Sequence, residues 1–170
     1  MIFYQKGDLE AFEELYRTLR SRLYRYLVSL TLNPVEAEEL LQETFLQMHR
    51  SRRTYQPRRP VMPWAFAIAR HAFLMHRRSD LRRRKHLEEA PEYLDEIPIF
   101  PEAEELAEKE VIGKALQQLS QEQREALLLH HVWGFSLREI GALLGIRRGT
   151  AKLRVYRGML ALRQLLGISE

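Results

Sequence analysis

The sequence predicts an all-α protein with two small helical domains joined by a flexible acidic linker. Along most of the 170 residues, apolar side chains recur at spacings of three and four, the period of an amphipathic helix. No convincing stretch alternates polar and apolar residues between turn residues, as a half-buried strand would. Capping residues, prolines and glycines stand where the periodic stretches begin and end.

The first half of the chain predicts three helices. Asp8 is a candidate N-cap for the first, and its apolar stripe starts at Leu9. Asn33 and Pro34 end this helix and open the next, because Asn caps a helix and Pro suits its first position. The second helix is expected to end near Arg53. Its apolar stripe consists of Ala37, Leu40, Leu41, Thr44, Phe45 and Met48.

Two segments with three prolines each interrupt the helical pattern. Residues 52–63, RRTYQPRRPVMP, predict a basic loop, followed by a third helix that starts near Pro63 or Trp64. Residues 86–101, HLEEAPEYLDEIPIFP, are acidic and show no sustained period, which indicates a linker. The linker is the expected domain boundary.

The predicted domains are therefore residues 1–85 and 102–170, and the second contains four helices. Its first helix carries apolar residues up to Leu119, and its last runs from about Thr150 to Leu166. Caps and turns of the helices between are assigned to Ser120 with Gln123, Gly134, Ser136 with Glu139, and Gly145.

Charge is distributed in blocks. Residues 51–86 contain 11 basic and one acidic residue, and residues 126–170 contain seven basic and two acidic ones. Between them, residues 87–125 contain three basic and 12 acidic residues. Two basic blocks separated by an acidic one favour two binding surfaces for a polyanion, although each block alone also fits a solvated helix face.

The last two helices contain the sharpest local motif, SLREIGALLGIRRGTAKLRVYRGML. Gly141, Gly145 and Ala151 have the spacing of a helix-turn-helix, in which small residues allow the helices to touch and a glycine makes the turn. The second helix of the motif is basic in its first half, which is typical of a helix that enters the major groove of DNA. The alternative is an ordinary αα-hairpin. The predicted DNA contacts are Arg147, Arg148, Thr150, Lys152, Arg154 and Arg157.

Other classes of protein fit the sequence less well. The chain has no cysteine, no Gly-rich phosphate loop and no i,i+4 histidine pair with an acidic companion, so we expect no enzyme activity, cofactor or metal site. Residues 63–85 alone would also suit an amphipathic membrane-surface helix, but the second basic block argues against it. No stretch of about eighteen apolar residues predicts membrane insertion.

Almost the whole chain resembles the extracytoplasmic-function sigma factors of bacterial RNA polymerase. The resemblance rests on GDLEAFEELY, AEELLQETFLQMHR, PWAFAIARHAFLMHRR and ALQQLSQEQREALLLHHVWGFSLREIGALLGIRRGTAKLR, which occur in the order and spacing of that family. It implies a promoter-specificity subunit that binds core polymerase and recognises and melts promoter DNA. The alternative is a free-standing helix-turn-helix repressor or activator.

The resemblance also assigns residues. The first domain corresponds to sigma region two, which binds the polymerase clamp helices and the minus-ten element, and the second to region four, which reads the minus-thirty-five element. Polymerase docking falls on Glu38, Glu39, Gln42 and Glu43. Minus-ten recognition falls on Arg53, Tyr55, Arg58, Arg59, Arg70, His71, Arg77 and Arg78. Trp64 is expected to anchor the core, and His71, Arg147 and Leu153 depart from residues that are frequent in the family.

The partners implied by the resemblance are core RNA polymerase, through its clamp helices and flap, promoter DNA and an anti-sigma factor. Residues 86–101 would pass through the polymerase toward the active-site cleft. The expected location is the cytoplasm.

Overall fold

The structure is a computed structural model that describes residues 1–84 and 106–168. All regular secondary structure in these two ranges is helical, which confirms the predicted fold class. The described residues form two compact units, one within residues 1–93 and the other within residues 94–170. The predicted linker, residues 86–101, lies outside the described residues.

The first unit contains four α-helices and one short 3-10 turn. Two predicted N-caps are present: Asp8 accepts a hydrogen bond from the Ala11 amide at 3.1 Å, and Asn33 accepts from the amide of Val35 at 3.0 Å. The short first helix was not predicted. The elements are α1 (Ile2–Gln5), α2 (Leu9–Thr31), α3 (Pro34–Ser51), the 3-10 turn (Arg52–Thr54) and α4 (Val61–Arg84).

Helix α4 starts earlier than the sequence indicated. It begins at Val61, directly after Pro60, whereas the predicted start was near Pro63 or Trp64. Pro63 is one of the three prolines expected to interrupt the helical pattern, but it lies in the first turn of α4. A proline is tolerated there because the first amides of a helix have no intrahelical acceptor.

Helices α2, α3 and α4 enclose the core of the first unit. Leu23, Leu41 and Phe66 are at most 1% exposed, and the ring of Phe66 lies 4.8 Å from that of Tyr26. The inward positions predicted for Leu40, Leu41 and Phe45 are confirmed. This packing leaves one side of α3 and one side of α4 at the surface.

The second unit contains α5 (Leu106–Gln118), α6 (Gln121–His131), α7 (Leu137–Leu144) and α8 (Arg148–Leu165). Ser136 and Glu139 form the predicted capping box, and Gly145 ends α7 with a φ of +69°. Ser120 accepts from the Gln123 amide at 3.4 Å.

Helix α8 begins at Arg148 and not near Thr150 as predicted. Arg147 occupies its N-cap without a side-chain hydrogen bond, so no capping residue marked the start in the sequence. The predicted helix-turn-helix contact is present, because a Cβ on Gly141 would lie 2.9 Å from the carbonyl oxygen of Ile146 in the turn. Ala151 is fully buried, as the motif requires.

Candidate nucleic-acid and polymerase interface

One exposed surface of α3 combines acidic, amide and apolar side chains. Glu39 and Gln42 are exposed, Glu38 and Glu43 are half-buried, and the Asn33 cap fixes where the helix starts. Arg20 approaches Glu38 at 3.3 Å, and the Gln47 amide donates to Glu43 at 2.6 Å. All four predicted docking residues therefore lie on the accessible side of α3.

Two apolar residues on this surface were missed in the sequence. Val35 is 67% exposed and Leu46 is 44% exposed. Together with Glu39 and Gln42 they follow the 35, 39, 42, 46 spacing of a single helix face. That spacing is present in the sequence, where it runs beside the more prominent buried stripe of α3. We name Val35, Glu39, Gln42 and Leu46 the α3 face.

The four predicted minus-ten residues of α4 lie on or beside its outer side. His71 and Arg78 are exposed and seven residues apart, so they lie two turns apart on the same side of the helix. Arg70 and Arg77 have the same relation and border the buried side: Arg70 is half-buried, and the Arg77 guanidinium lies 5.8 Å from the centre of the Phe73 ring. The structure thus brings the four predicted residues together on one helix surface.

The loop between α3 and α4 places its arginines outside and its tyrosine inside. Arg53, Arg58 and Arg59 are exposed, whereas Tyr55 is only 6% exposed. The Tyr55 hydroxyl donates to the carbonyl oxygen of Arg59, and its ring packs at a steep angle against Trp64, with 5.1 Å between the ring centres. Burial raises the pKa of Tyr55. In this conformation Tyr55 supports the loop and does not present its ring to a base.

Helix α1 is hydrogen-bonded to the backbone of the loop between α3 and α4. The Gln5 side-chain amide donates to the backbone carbonyls of Arg52 and Tyr55, each at 2.7 Å. Tyr4 shares a 2.5 Å hydrogen bond with Nδ1 of His49, which attaches α1 to the end of α3. These contacts join residues 45 to 50 positions apart, so local spacing gave no sign of them.

A titratable cluster connects α3 to α4. Nε2 of His76 lies 3.1 Å from a carboxylate oxygen of Asp80 and 3.5 Å from one of Glu36. Burial raises the pKa of Glu36, and the neighbouring His76 opposes that rise. An imidazole nitrogen and two carboxylates could hold a divalent metal ion, and without one they form a polar cluster that joins the two helices. Sequence inspection missed it because Glu36 is far from His76 in the chain.

On α8, five of the six predicted DNA contacts form an exposed basic surface. Arg147, Arg148, Thr150, Lys152 and Arg157 are exposed. Arg154 differs, because its guanidinium pairs with a carboxylate oxygen of Glu122 on α6 at 2.8 Å and its side chain is only 22% exposed. The buried side of the helix consists of Ala151, Val155 and Gly158.

Comparison with known proteins places both units in one family. Residues 15–84 match the model of Sigma-70 region 2, and residues 109–162 match the model of Sigma-70, region 4. The RNA polymerase sigma factor CarQ of Myxococcus xanthus is 37% identical over 98% of this chain and 95% of its own length. The chain belongs to the extracytoplasmic-function sigma factors. It is thus a promoter-specificity subunit of bacterial RNA polymerase and not an enzyme, and the family decides against a free-standing repressor.

Other sigma factors resemble the chain over most of its length. The ECF RNA polymerase sigma factor SigE of Mycolicibacterium smegmatis is 36% identical over 97% of this chain and 66% of its own length. The sigma factor RpoE of Bartonella quintana, solved in complex with the anti-sigma factor NepR, superposes with a TM-score of 0.85 at 26% identity. That comparison covers 95% of this sigma factor and 99% of the solved chain. None of the described helices combines the length and the hydropathy of a membrane span.

Proposed function

We propose that this sigma factor divides promoter recognition and polymerase docking among three separate surfaces. The observation that carries the proposal is the segregation of charge. Within the first unit, α4 and the loop before it present mainly basic side chains, while α3 presents acidic and amide groups. Helix α2 also exposes arginines, and one of them, Arg20, is paired with Glu38 of α3. The second unit has its own basic surface on α8. One surface type suits a polyanion, and the other suits a basic protein partner.

The minus-ten strand is assigned to α4 and its preceding loop. A melted strand needs cations for its phosphates and space for its unstacked bases. Arg53, Arg58 and Arg59 supply cations on the loop, and the outer side of α4 continues the basic track with His71 and Arg78. Arg70 and Arg77 flank that track. Tyr55 acts by keeping the loop in shape.

The minus-thirty-five element is assigned to the exposed surface of α8. Arg147 and Arg148 stand at the start of the helix, where side chains of a recognition helix reach base edges and nearby phosphates. Lys152 and Arg157 extend the basic surface along the next turns. Arg154 is assigned a different task, because its guanidinium pairs with Glu122 and so connects α8 to α6.

Docking on core polymerase is assigned to the α3 face, together with Glu38 and Glu43. The chemistry fits a partner that combines basic and apolar side chains, as expected of the clamp helices to which the resemblance points. Glu39 and Gln42 supply hydrogen-bond acceptors, and Val35 and Leu46 supply apolar area. Loss of the polar pair should slow and weaken association with core polymerase.

Regulation by an anti-sigma factor is part of the same proposal. It is supported by the sigma factor RpoE of Bartonella quintana, which has this fold and was solved in complex with an anti-sigma factor. Because core RNA polymerase and promoter DNA lie inside the bacterial cell, we place the protein in the cytoplasm.

Run-off transcription with core polymerase tests the overall proposal. The holoenzyme should start at a promoter that core enzyme alone ignores. His71→Ala and Arg78→Ala should reduce permanganate reactivity of minus-ten thymines but leave binding to core polymerase intact. Glu39→Ala with Gln42→Ala should weaken core binding, and the strand should melt normally once the protein is at saturating concentration. Equal losses in both assays for both groups of variants would refute the division.

A further inference from the structure

The exposed surface of α8 has an apolar residue at its centre. Leu153 is two residues from Ala151 and two from Val155, both of which are buried. Since successive residues of an α-helix are turned by about 100°, Leu153 lies on the side opposite the one that packs on the domain. Its side chain is 44% exposed, although leucine is a residue that is ordinarily buried.

Basic side chains border Leu153. Lys152 lies beside it, and Arg157 follows it by one turn; both are exposed. One turn before it, Gly149 has no atom within 4 Å of the position a Cβ would take. The first turn of α8 is therefore bare on this side, so its backbone can approach base edges closely. The cations on either side suit the phosphates that border a groove.

An apolar group at the centre of a groove-facing surface has one characteristic contact on DNA. The major-groove edge of thymine carries a C5 methyl group, which apolar side chains recognise, whereas the remaining edge groups of the four bases are donors and acceptors. A leucine offers no hydrogen bond, so it would leave those polar groups desolvated and unpaired.

We propose that Leu153 is a specificity-determining residue that reads the C5 methyl group of a thymine in the minus-thirty-five element. The inference rests on the proposed assignment of α8 to that element. Tyr156, which is 61% exposed and lies one turn along the same surface, borders the contact and extends its apolar area. The promoters of this sigma factor accordingly contain a thymine opposite the second turn of α8.

The contact can be tested with DNA that lacks only the methyl group. Holoenzyme is first used to select heparin-resistant complexes from duplexes with random minus-thirty-five and minus-ten segments. Each thymine of the selected minus-thirty-five segment is then replaced singly by uracil, which keeps every hydrogen-bonding group. Affinity is measured for the unmodified protein and for Leu153→Ala, whose folding is checked by circular dichroism and whose core binding is checked directly.

At one thymine, uracil should weaken binding of the unmodified holoenzyme about fourfold, as expected for one buried methyl group. The Leu153→Ala holoenzyme should bind thymine and uracil equally at that position. The proposal is overturned if no uracil weakens binding, or if the variant loses the same factor as the unmodified protein. It is likewise overturned if Leu153→Ala loses core binding, which would make this surface a protein contact. Failure to select any duplex would instead refute the promoter-binding assignment itself.

Discussion

Replacing Gly141 by alanine should destabilise the second unit, because the helix-turn-helix leaves no room for a methyl group. A Cβ at this position would lie 2.9 Å from the carbonyl oxygen of Ile146, a backbone atom of the turn. The turn would have to move by about 0.5 Å to reach the 3.4 Å of ordinary van der Waals contact. Overpacking of this kind costs about 1–3 kcal/mol.

The gain in helix propensity opposes this cost, so a matched control is needed. Alanine is better than glycine inside a helix by about 1 kcal/mol. Gly149 lies in α8 with open space around its Cβ position, so Gly149→Ala should leave stability unchanged or raise it by up to about 1 kcal/mol. The difference between the two variants isolates the contact, and we expect Gly141→Ala to be less stable than Gly149→Ala by about 1–3 kcal/mol.

The two tryptophans make the measurement specific for one unit. Trp64 belongs to the first unit and Trp133 to the second. In a Trp64→Phe background, Trp133 fluorescence in urea reports unfolding of the second unit in the full chain. Equal midpoints for Gly141→Ala and Gly149→Ala would refute the argument that the α7–α8 turn is in hard contact.

Three further results are expected. Asn33→Ala should lower the unfolding free energy of the first unit by about 1 kcal/mol in urea denaturation, because the two amides it caps lose their acceptor; an unchanged midpoint would contradict the cap. Glu139→Gln should destabilise the second unit at pH 7. The hydrogen bonds from Ser136 lower the pKa of Glu139 below 4.5. The stabilisation by its carboxylate is therefore present above pH 4.5 and is lost as pH falls through the folded-state pKa. A difference in Tm between the unmodified protein and Glu139→Gln that does not change with pH would contradict this. Arg157→Ala should reduce the salt slope of minus-thirty-five binding by about one, whereas Arg154→Ala should leave it unchanged. An equal reduction by both variants would show that both residues meet phosphates, and no reduction by Arg157→Ala would contradict its phosphate contact.

The parts of the fold that depend on neighbouring residues were predictable from the sequence. The caps at Asp8 and Asn33 and the box at Ser136 form within three residues of chain, so residue type and spacing determine them. The predicted starts of α4 and α8 lie two or three residues after the starts in the structure. In both cases the true first turn contains residues that ordinarily disfavour a helix interior, Pro63 and Gly149, and the first turn tolerates them.

The charged surfaces of α3, α4 and α8 were predictable from the sequence, but which of their residues are engaged in contacts within the protein was not. Charge and helical spacing indicated which arginines are exposed. They could not show that Arg154 is engaged by Glu122, or that Tyr55 is buried against Trp64, because both contacts join different elements. The cluster of His76 with Glu36 is also tertiary. Each of these contacts depends on how the helices pack against one another, which the spacing of apolar residues along one helix does not show.

The bracing of the α3–α4 loop has an evolutionary consequence. Its shape is set from the inner side, by Gln5, Tyr55 and Trp64, while Arg53 and Arg58 project outward from a backbone that does not depend on them. Substitutions at the two arginines should therefore change the charge that the loop presents at little cost in stability. On the assignment of these arginines to phosphates, single mutations there tune the affinity of the loop for the melted strand, without passing through a form that fails to fold.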